Sequence, residues 1–175
     1  MPSIEPSLSG GCQGTCRSQT ATIGDNLDNI VMGRLGRLFD GTTCDGINVV
    51  PDAIGTELRR YEKIGPFCNT GNSTACVSVN FDSGTCVDAN NINFDLVIPA
   101  AYKEFNPANI SESFLGSIGN ESPGFFQFQV EANSTFVIVG TQVRGINATE
   151  GDGLGCTFGV VVGLDDECSA FDDTA

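Results

Sequence analysis

The sequence contains no histidine and no tryptophan in 175 residues. Without histidine it lacks the commonest general base and the commonest metal ligand. No Ser-His-Asp or Cys-His set can be assembled, and there is neither a Gly-x-Ser-x-Gly elbow nor a phosphate-binding loop. A glycosidase-type carboxylate pair could be drawn from the 22 acids, but no spacing singles one out. The expectation is a protein that is not an enzyme. Tyrosine is limited to Tyr61 and Tyr102, so the exposed aromatic platforms used to bind sugars are poorly supplied. Basic residues are scarce too: eight against 22 acids, for a net charge of −14. Such a chain repels nucleic acid and anionic membranes. Its one basic cluster, Arg59-Arg60 with Lys63, sits beside Glu57 and Glu62 and reads as solvated strand charges. No apolar run approaches the roughly 20 residues of a membrane span. Nucleic acid and membrane insertion are therefore excluded as expectations.

Cysteine is abundant: Cys12, Cys16, Cys44, Cys68, Cys76, Cys86, Cys156 and Cys168. An even, high count among short apolar runs reads as a disulfide framework in an oxidising compartment, extracellular or at the cell surface. The opening Met1-Pro2-Ser3-Ile4-Glu5-Pro6 has no basic or apolar leader pattern, so this expectation rests on the cysteines. Eight cysteines allow roughly a hundred connectivities, and the sequence selects none. Cys12-x3-Cys16 lacks the histidines or second close cysteine pair that zinc would need. No cofactor is expected. Calcium is the metal the side chains would suit best, at Asp25, Asn26, Asp28 and Asn29 or at Asp88, Asn90, Asn91, Asn93 and Asp95. Neither loop has EF-hand spacing, and turn capping explains both.

Residues 1–19, rich in Ser, Gly and Pro, read as an extended N-terminal arm. Residues 20–164 form the body, and 165–175 an acidic C-terminal tail. A body this long can bury roughly 70% of its unfolded surface, so its core need not depend on disulfides alone. Strand signals dominate it. Val77, Val79 and Phe81 alternate with Ser78 and Asn80. Phe94, Leu96 and Ile98 alternate with Asn93, Asp95 and Val97. Phe126, Phe128 and Val130 alternate with Gln127 and Gln129, and Phe158, Val160 and Val162 with Thr157, Gly159 and Val161. This period of two marks strands with one buried face. Phe136 to Val139 is apolar on both faces and reads as central. Leu27–Leu38 and Ala108–Leu115 have some helical character. The expected fold is all-β: an antiparallel β-sandwich, jelly-roll-like and disulfide-stapled.

Several segments follow one another in series: Gly36-Arg37-Leu38-Phe39-Asp40-Gly41 before Cys44, Arg60-Tyr61-Glu62-Lys63-Ile64, Ala75-Cys76-Val77-Ser78-Val79, Ala100 to Asn109, Phe126 to Val130, Phe136 to Val139, and Gly155-Cys156-Thr157-Phe158. Together they resemble the β-sandwich modules of secreted and surface proteins related to bacterial pre-peptidase C-terminal domains. The likeness covers about residues 22–163, and its most specific piece is Ala-Tyr-x-x-x-Phe-x-Pro-x-Asn. It implies a non-catalytic module with an adhesive, targeting or structural role. Cys44, Cys76, Cys86 and Cys156 fall within the family-like segments, while Cys12, Cys16, Cys68 and Cys168 are additional.

Five Asn-x-Ser/Thr sequons, at Asn72, Asn109, Asn120, Asn133 and Asn147, exceed chance placement, and all but the strand-entry Asn133 lie in turn-like contexts better suited to glycans on an exported protein. The functional expectation is an extracellular structural protein that self-associates into a filament or surface layer, with copies of itself as partners. The alternative is an adhesion or binding module of a larger secreted protein.

Overall fold

The computed structural model describes residues 16–36, 40–46, 48–87, 96–119, 124–146 and 154–164, with the Cys16 side chain excepted. Nine strands form among them, and no helix: β1 (Cys16–Thr22), β2 (Ile30–Leu35), β3 (Ala53–Asn69), β4 (Ala75–Asp82), β5 (Val97–Tyr102), β6 (Phe114–Ser117), β7 (Phe125–Val130), β8 (Ser134–Gln142) and β9 (Thr157–Leu164). They pair antiparallel into a four-stranded sheet, β1-β9-β4-β7, and a five-stranded sheet, β2-β3-β8-β5-β6. Leaving β2 aside, this is the strand order of a jelly roll, with β2 added outside β3.

The period-two runs point as the sequence predicts. Val77 and Val79 of β4 lie opposite Phe128 and Phe126 of β7, and Val79 and Phe81 lie opposite Val162 and Val160 of β9. All of these side chains are buried and form the inner face of the first sheet. Phe67, Phe136 and Ile138 meet them from the second sheet, with Phe128 edge-on to Phe136 at 5.3 Å between centroids. Burying each such side chain contributes about 1.5–3 kcal/mol relative to exposure.

Around β5 and β8 the five-stranded sheet is buried on both faces. On the side away from the main core, Val31, Leu35, Tyr61, Ala100, Tyr102 and Val139 form a second apolar cluster, covered by Phe105 and Ile110. Phe105 is its hub, edge-on to Tyr61 at 4.8 Å and to Tyr102 at 4.9 Å. The Ala-Tyr-x-x-x-Phe-x-Pro-x-Asn stretch therefore has a structural role. Strand β5 contributes the tyrosine, and the loop after it folds the phenylalanine back over the sheet. Turn hydrogen bonds hold that loop, from Asn109 N–H to Asn106 O (3.0 Å) and from Glu112 N–H to Asn109 O (3.0 Å).

Several expectations need correction. Neither segment with helical character is a helix. Ile30–Leu35 is strand β2, because Gly33 and Gly36 weaken a helix and β3 offers a ladder. Ala108–Ser113 is turns leading into β6. Val97, read as facing outward, is fully buried because β5 lies between β8 and β6 with both faces covered. Residues 16–19, assigned to the arm on composition, are paired with β9 in β1. Arg59 and Glu62 are not solvated strand charges: both are buried. Arg59 donates through Nε to Val143 O (3.1 Å) and through Nη2 to Glu57 Oε2 (3.1 Å). Residues 1–15 and the tail 165–175 lie outside the described residues.

Candidate functional site

A sandwich presents four outer strands, and each exposes unpaired backbone unless it is covered. Two of them, β6 and β7, are closed by a single strap, Asp40–Gly46. Thr42, buried, is its centre. Its N–H donates to Ser117 O (3.0 Å), its Oγ1 accepts from Ser117 N–H (3.1 Å), and its carbonyl accepts from Gln127 N–H (2.8 Å). One residue thus joins β6 of one sheet to β7 of the other. Glycines make room for it: a Cβ on Gly116 would lie 2.5 Å from Thr42 Oγ1, and one on Gly119 would lie 2.7 Å from Asp40 Cα. The Cys44–Cys76 disulfide anchors the strap to β4, and Gln129 Nε2 donates to Cys44 O (3.0 Å). Asn48 continues the cover, its Nδ2 donating to Leu115 O (3.0 Å).

The Cys86–Cys156 disulfide, with Cα atoms 4.9 Å apart, ties the turn after β4 to the residue before β9. The four cysteines of the family-like segments therefore pair among themselves. Cys68 is disulfide-bonded as well, to a partner not among the described side chains. No cysteine is free among the described residues. Cys12 and Cys168 lie outside them, as does the Cys16 side chain. Disulfides of this kind are consistent with an oxidising environment.

The opposite side is different. β1 is an outer strand of polar residues, with Ser18 and Thr20 exposed. β2 lies outside β3, and the register sets Met32 opposite Leu58 and Ile30 opposite Arg60. Ile30, Met32 and Leu58 share the face that carries Ile64 into the main core further along β3, and Ile54 follows beyond the bulge at Gly33. Here the first sheet does not reach them. Their exposures are 37%, 63%, 43% and 39% for Ile30, Met32, Leu58 and Ile54. Sequence reasoning missed this row because charged neighbours interrupt the alternation in β3 and Gly33 interrupts it in β2.

The Asp25–Asn29 loop is a capped turn held by a buried carboxylate. Glu62 accepts from Asn26 N–H (3.1 Å) and Asn29 Nδ2 (3.2 Å), while Asn26 Oδ1 accepts from Asp28 N–H (3.1 Å). No group of three or more His, Cys, Asp or Glu suited to a metal occurs among the described residues. The second oxygen-rich loop, Asp88, Asn90, Asn91, Asn93 and Asp95, lies outside them. Sequon residues Asn72, Asn109 and Asn133 are exposed, in the β3–β4, β5–β6 and β7–β8 connections, which share one pole of the sandwich. Asn133 N–H donates to Gly71 O (3.2 Å), so two of these turns touch. Buried Asn69 clamps them, its Nδ2 donating to Ser73 O (2.8 Å) and Val130 O (3.0 Å). Asn120 and Asn147 lie outside the described residues. An open hollow of about 400 Å³ beside these turns is lined by Lys103, Glu131, Ser134 and Thr135 among others. Its charged groups are the exposed Lys103–Glu131 pair at 3.0 Å, which has no nucleophile–base geometry.

No helix among the described residues is long and apolar enough to cross a membrane. Comparison with family models, with curated proteins and with solved structures finds no match to this chain.

Proposed function

We propose that this protein is a non-catalytic extracellular structural subunit that associates with copies of itself, as a filament or surface-layer element. The observation that carries the reading is the inequality of the two sides of the sandwich. One side is strapped and disulfide-locked, while on the other no strap among the described residues covers β2, which lies beside an apolar row. An uncovered apolar edge strand is an association hazard unless association is its use. Glycans on Asn72, Asn109 and Asn133 belong to the same reading, since they would coat the pole that these three turns share. The likeness to pre-peptidase C-terminal modules fits it as a likeness of sandwich scaffold.

Sedimentation velocity and negative-stain microscopy of the full oxidised chain test the proposal. Concentration-dependent species larger than the monomer, with a regular subunit repeat, support it. Monomers alone up to about 100 μM, well above the Kd range of stable assemblies, reject it.

A further inference from the structure

The four outer strands can be ranked as acceptors for an added strand. β6 and β7 are occupied by the strap. β1 is polar along its exposed positions. Among the described strands, β2 alone combines an outer position with an apolar row, formed by Ile30, Met32, Leu58 and Ile54. We propose that this edge receives residues 1–15 of a second copy of the chain as an added strand. The inference rests on the self-association reading above and names its acceptor and donor.

Three observations support that occupant. The first is pattern. In Ile4-Glu5-Pro6-Ser7-Leu8 the apolar side chains fall on alternate positions, as an added strand requires. Pro6 is tolerated there because an outermost strand can turn its missing N–H away from the ladder. The second is charge. Residues 1–15 carry Glu5 and no basic residue, whereas β2 and β3 hold four bases, Arg34, Arg59, Arg60 and Lys63, against two acids, Glu57 and Glu62, a net excess of positive charge in a chain that is −14 overall. Two copies at −14 each repel overall, so a contact through the locally basic strands is the least opposed.

The third is reach. The segment joins the body at Cys16, whose partner Gly163 lies opposite Ser78 of β4. The neighbouring Val77 pairs with Phe128, whose ring meets Phe136 opposite Phe67, so Cys16 stands about level with Phe67 of β3. β2 pairs with β3 from Ala53 to Arg60. The separation is therefore about 20 Å, against about 50 Å for a fully extended 15-residue segment. The segment thus has the length to reach a β2 edge with both Ile4 and Leu8, and the self-association reading assigns that edge to a neighbour. The bulge at Gly33 confines a straight ladder to Ile30–Met32, so side-chain contact with Leu58 and Ile54 completes the joint.

A mixing experiment with full-length oxidised chains tests the inference. One variant carries Ile4→Asp and Leu8→Asp, and the other carries Met32→Asp and Leu58→Asp. Circular dichroism and thermal midpoint confirm that each is folded, with Met32→Lys alone as the fallback at the most exposed position. Each variant alone is expected to associate at least about tenfold more weakly than wild type in sedimentation velocity. Mixed, they are expected to form heterodimers and nothing larger, because one intact segment then meets one intact edge. If wild type associates and the Met32/Leu58 variant associates equally well, the inference is overturned while the self-association reading stands. A mixture that stays monomeric overturns it too, since that result requires edge-to-edge or intrachain contact. Wild type that is monomeric throughout removes the reading and the inference together.

Discussion

The ring of Phe158 on β9 lies directly on the backbone of Gly140 on β8. A Cβ added at Gly140 would come within 2.8 Å of Cε2 and 2.9 Å of Cε1 of that ring. The two sheets approach at this point because one of them has no side chain there. Gly140→Ala is expected to cost about 1–3 kcal/mol, the usual penalty for overpacking a filled core. Phe158→Leu in the same chain should recover part of the loss by freeing the space. Urea unfolding midpoints of the single and double variants measure both. Additive losses in the double variant would contradict the contact.

Thr42 and Ser117 share a polar contact, and the two hydroxyls are not equivalent. Thr42 Oγ1 satisfies the buried Ser117 N–H (3.1 Å), while Ser117 Oγ is buried without a partner among the described residues. Thr42→Val is therefore expected to cost about 1–3 kcal/mol by leaving that N–H unsatisfied, and Ser117→Ala to be neutral or slightly stabilising. Thr42→Ser should lie close to wild type. Denaturant midpoints give the ranking, and equal losses at the two sites would show that the strap is held otherwise.

All eight cysteines are expected to be oxidised in native protein, so thiol titration of the denatured, unreduced chain should find none free. Two or more free thiols would contradict the framework. The disulfides Cys44–Cys76 and Cys86–Cys156 enclose 32 and 70 residues, for which chain entropy gives about 4 kcal/mol each. Paired Cys→Ala substitution at Cys44 and Cys76 should also speed hydrogen exchange at Gln127 N–H, which bonds to the strap. Unchanged exchange there would separate the disulfide from edge closure.

Tyr61 and Tyr102 are the only tyrosines, and both lie in the second cluster. Burial raises the Tyr102 phenol far above its ordinary range; Tyr61 is raised by desolvation first and by the Glu62 carboxylate second. The folded state therefore holds these protons more tightly than the unfolded chain does. Their contribution to stability is complete below the unfolded value of about 10 and is lost as pH rises above it. The thermal midpoint should fall above about pH 10, with phenolate absorbance appearing together with unfolding, and Tyr102→Phe should fall less steeply. Phenolate from both tyrosines in protein that is still folded would refute the burial argument.

Glycan attachment is expected at Asn72, Asn109 and Asn133 when the chain is made in a secretory host that modifies sequons, since all three side chains are exposed. Intact mass before and after glycosidase treatment decides occupancy. A mass equal to the bare chain rejects it.

The sequence by itself determined the strand content and much of the inter-sheet core. Phe126, Phe128 and Val130, like Phe158, Val160 and Val162, announce a buried face because side-chain direction alternates along any strand. Phe136 to Val139 announces a central strand in the same way, being apolar at every position. The even cysteine count determined that disulfides staple the body, but not which cysteines pair, because pairing depends on which Cβ atoms the fold brings together. β3 was only partly legible. Its charged stretch from Arg59 to Lys63 hides the apolar period, and Arg59 and Glu62 are buried only because Val143 O, Asn26 and Asn29 arrive from elsewhere in the chain. Only the tertiary structure decided which edges are covered. Thr42 carries no pattern of its own and gains its role from the meeting of Ser117 and Gln127, one on each sheet. Met32 and Leu58 look like ordinary strand residues and are left exposed because the smaller sheet stops short of them. Periodicity is a property of neighbours along the chain, whereas closure and exposure are set by residues far apart in sequence.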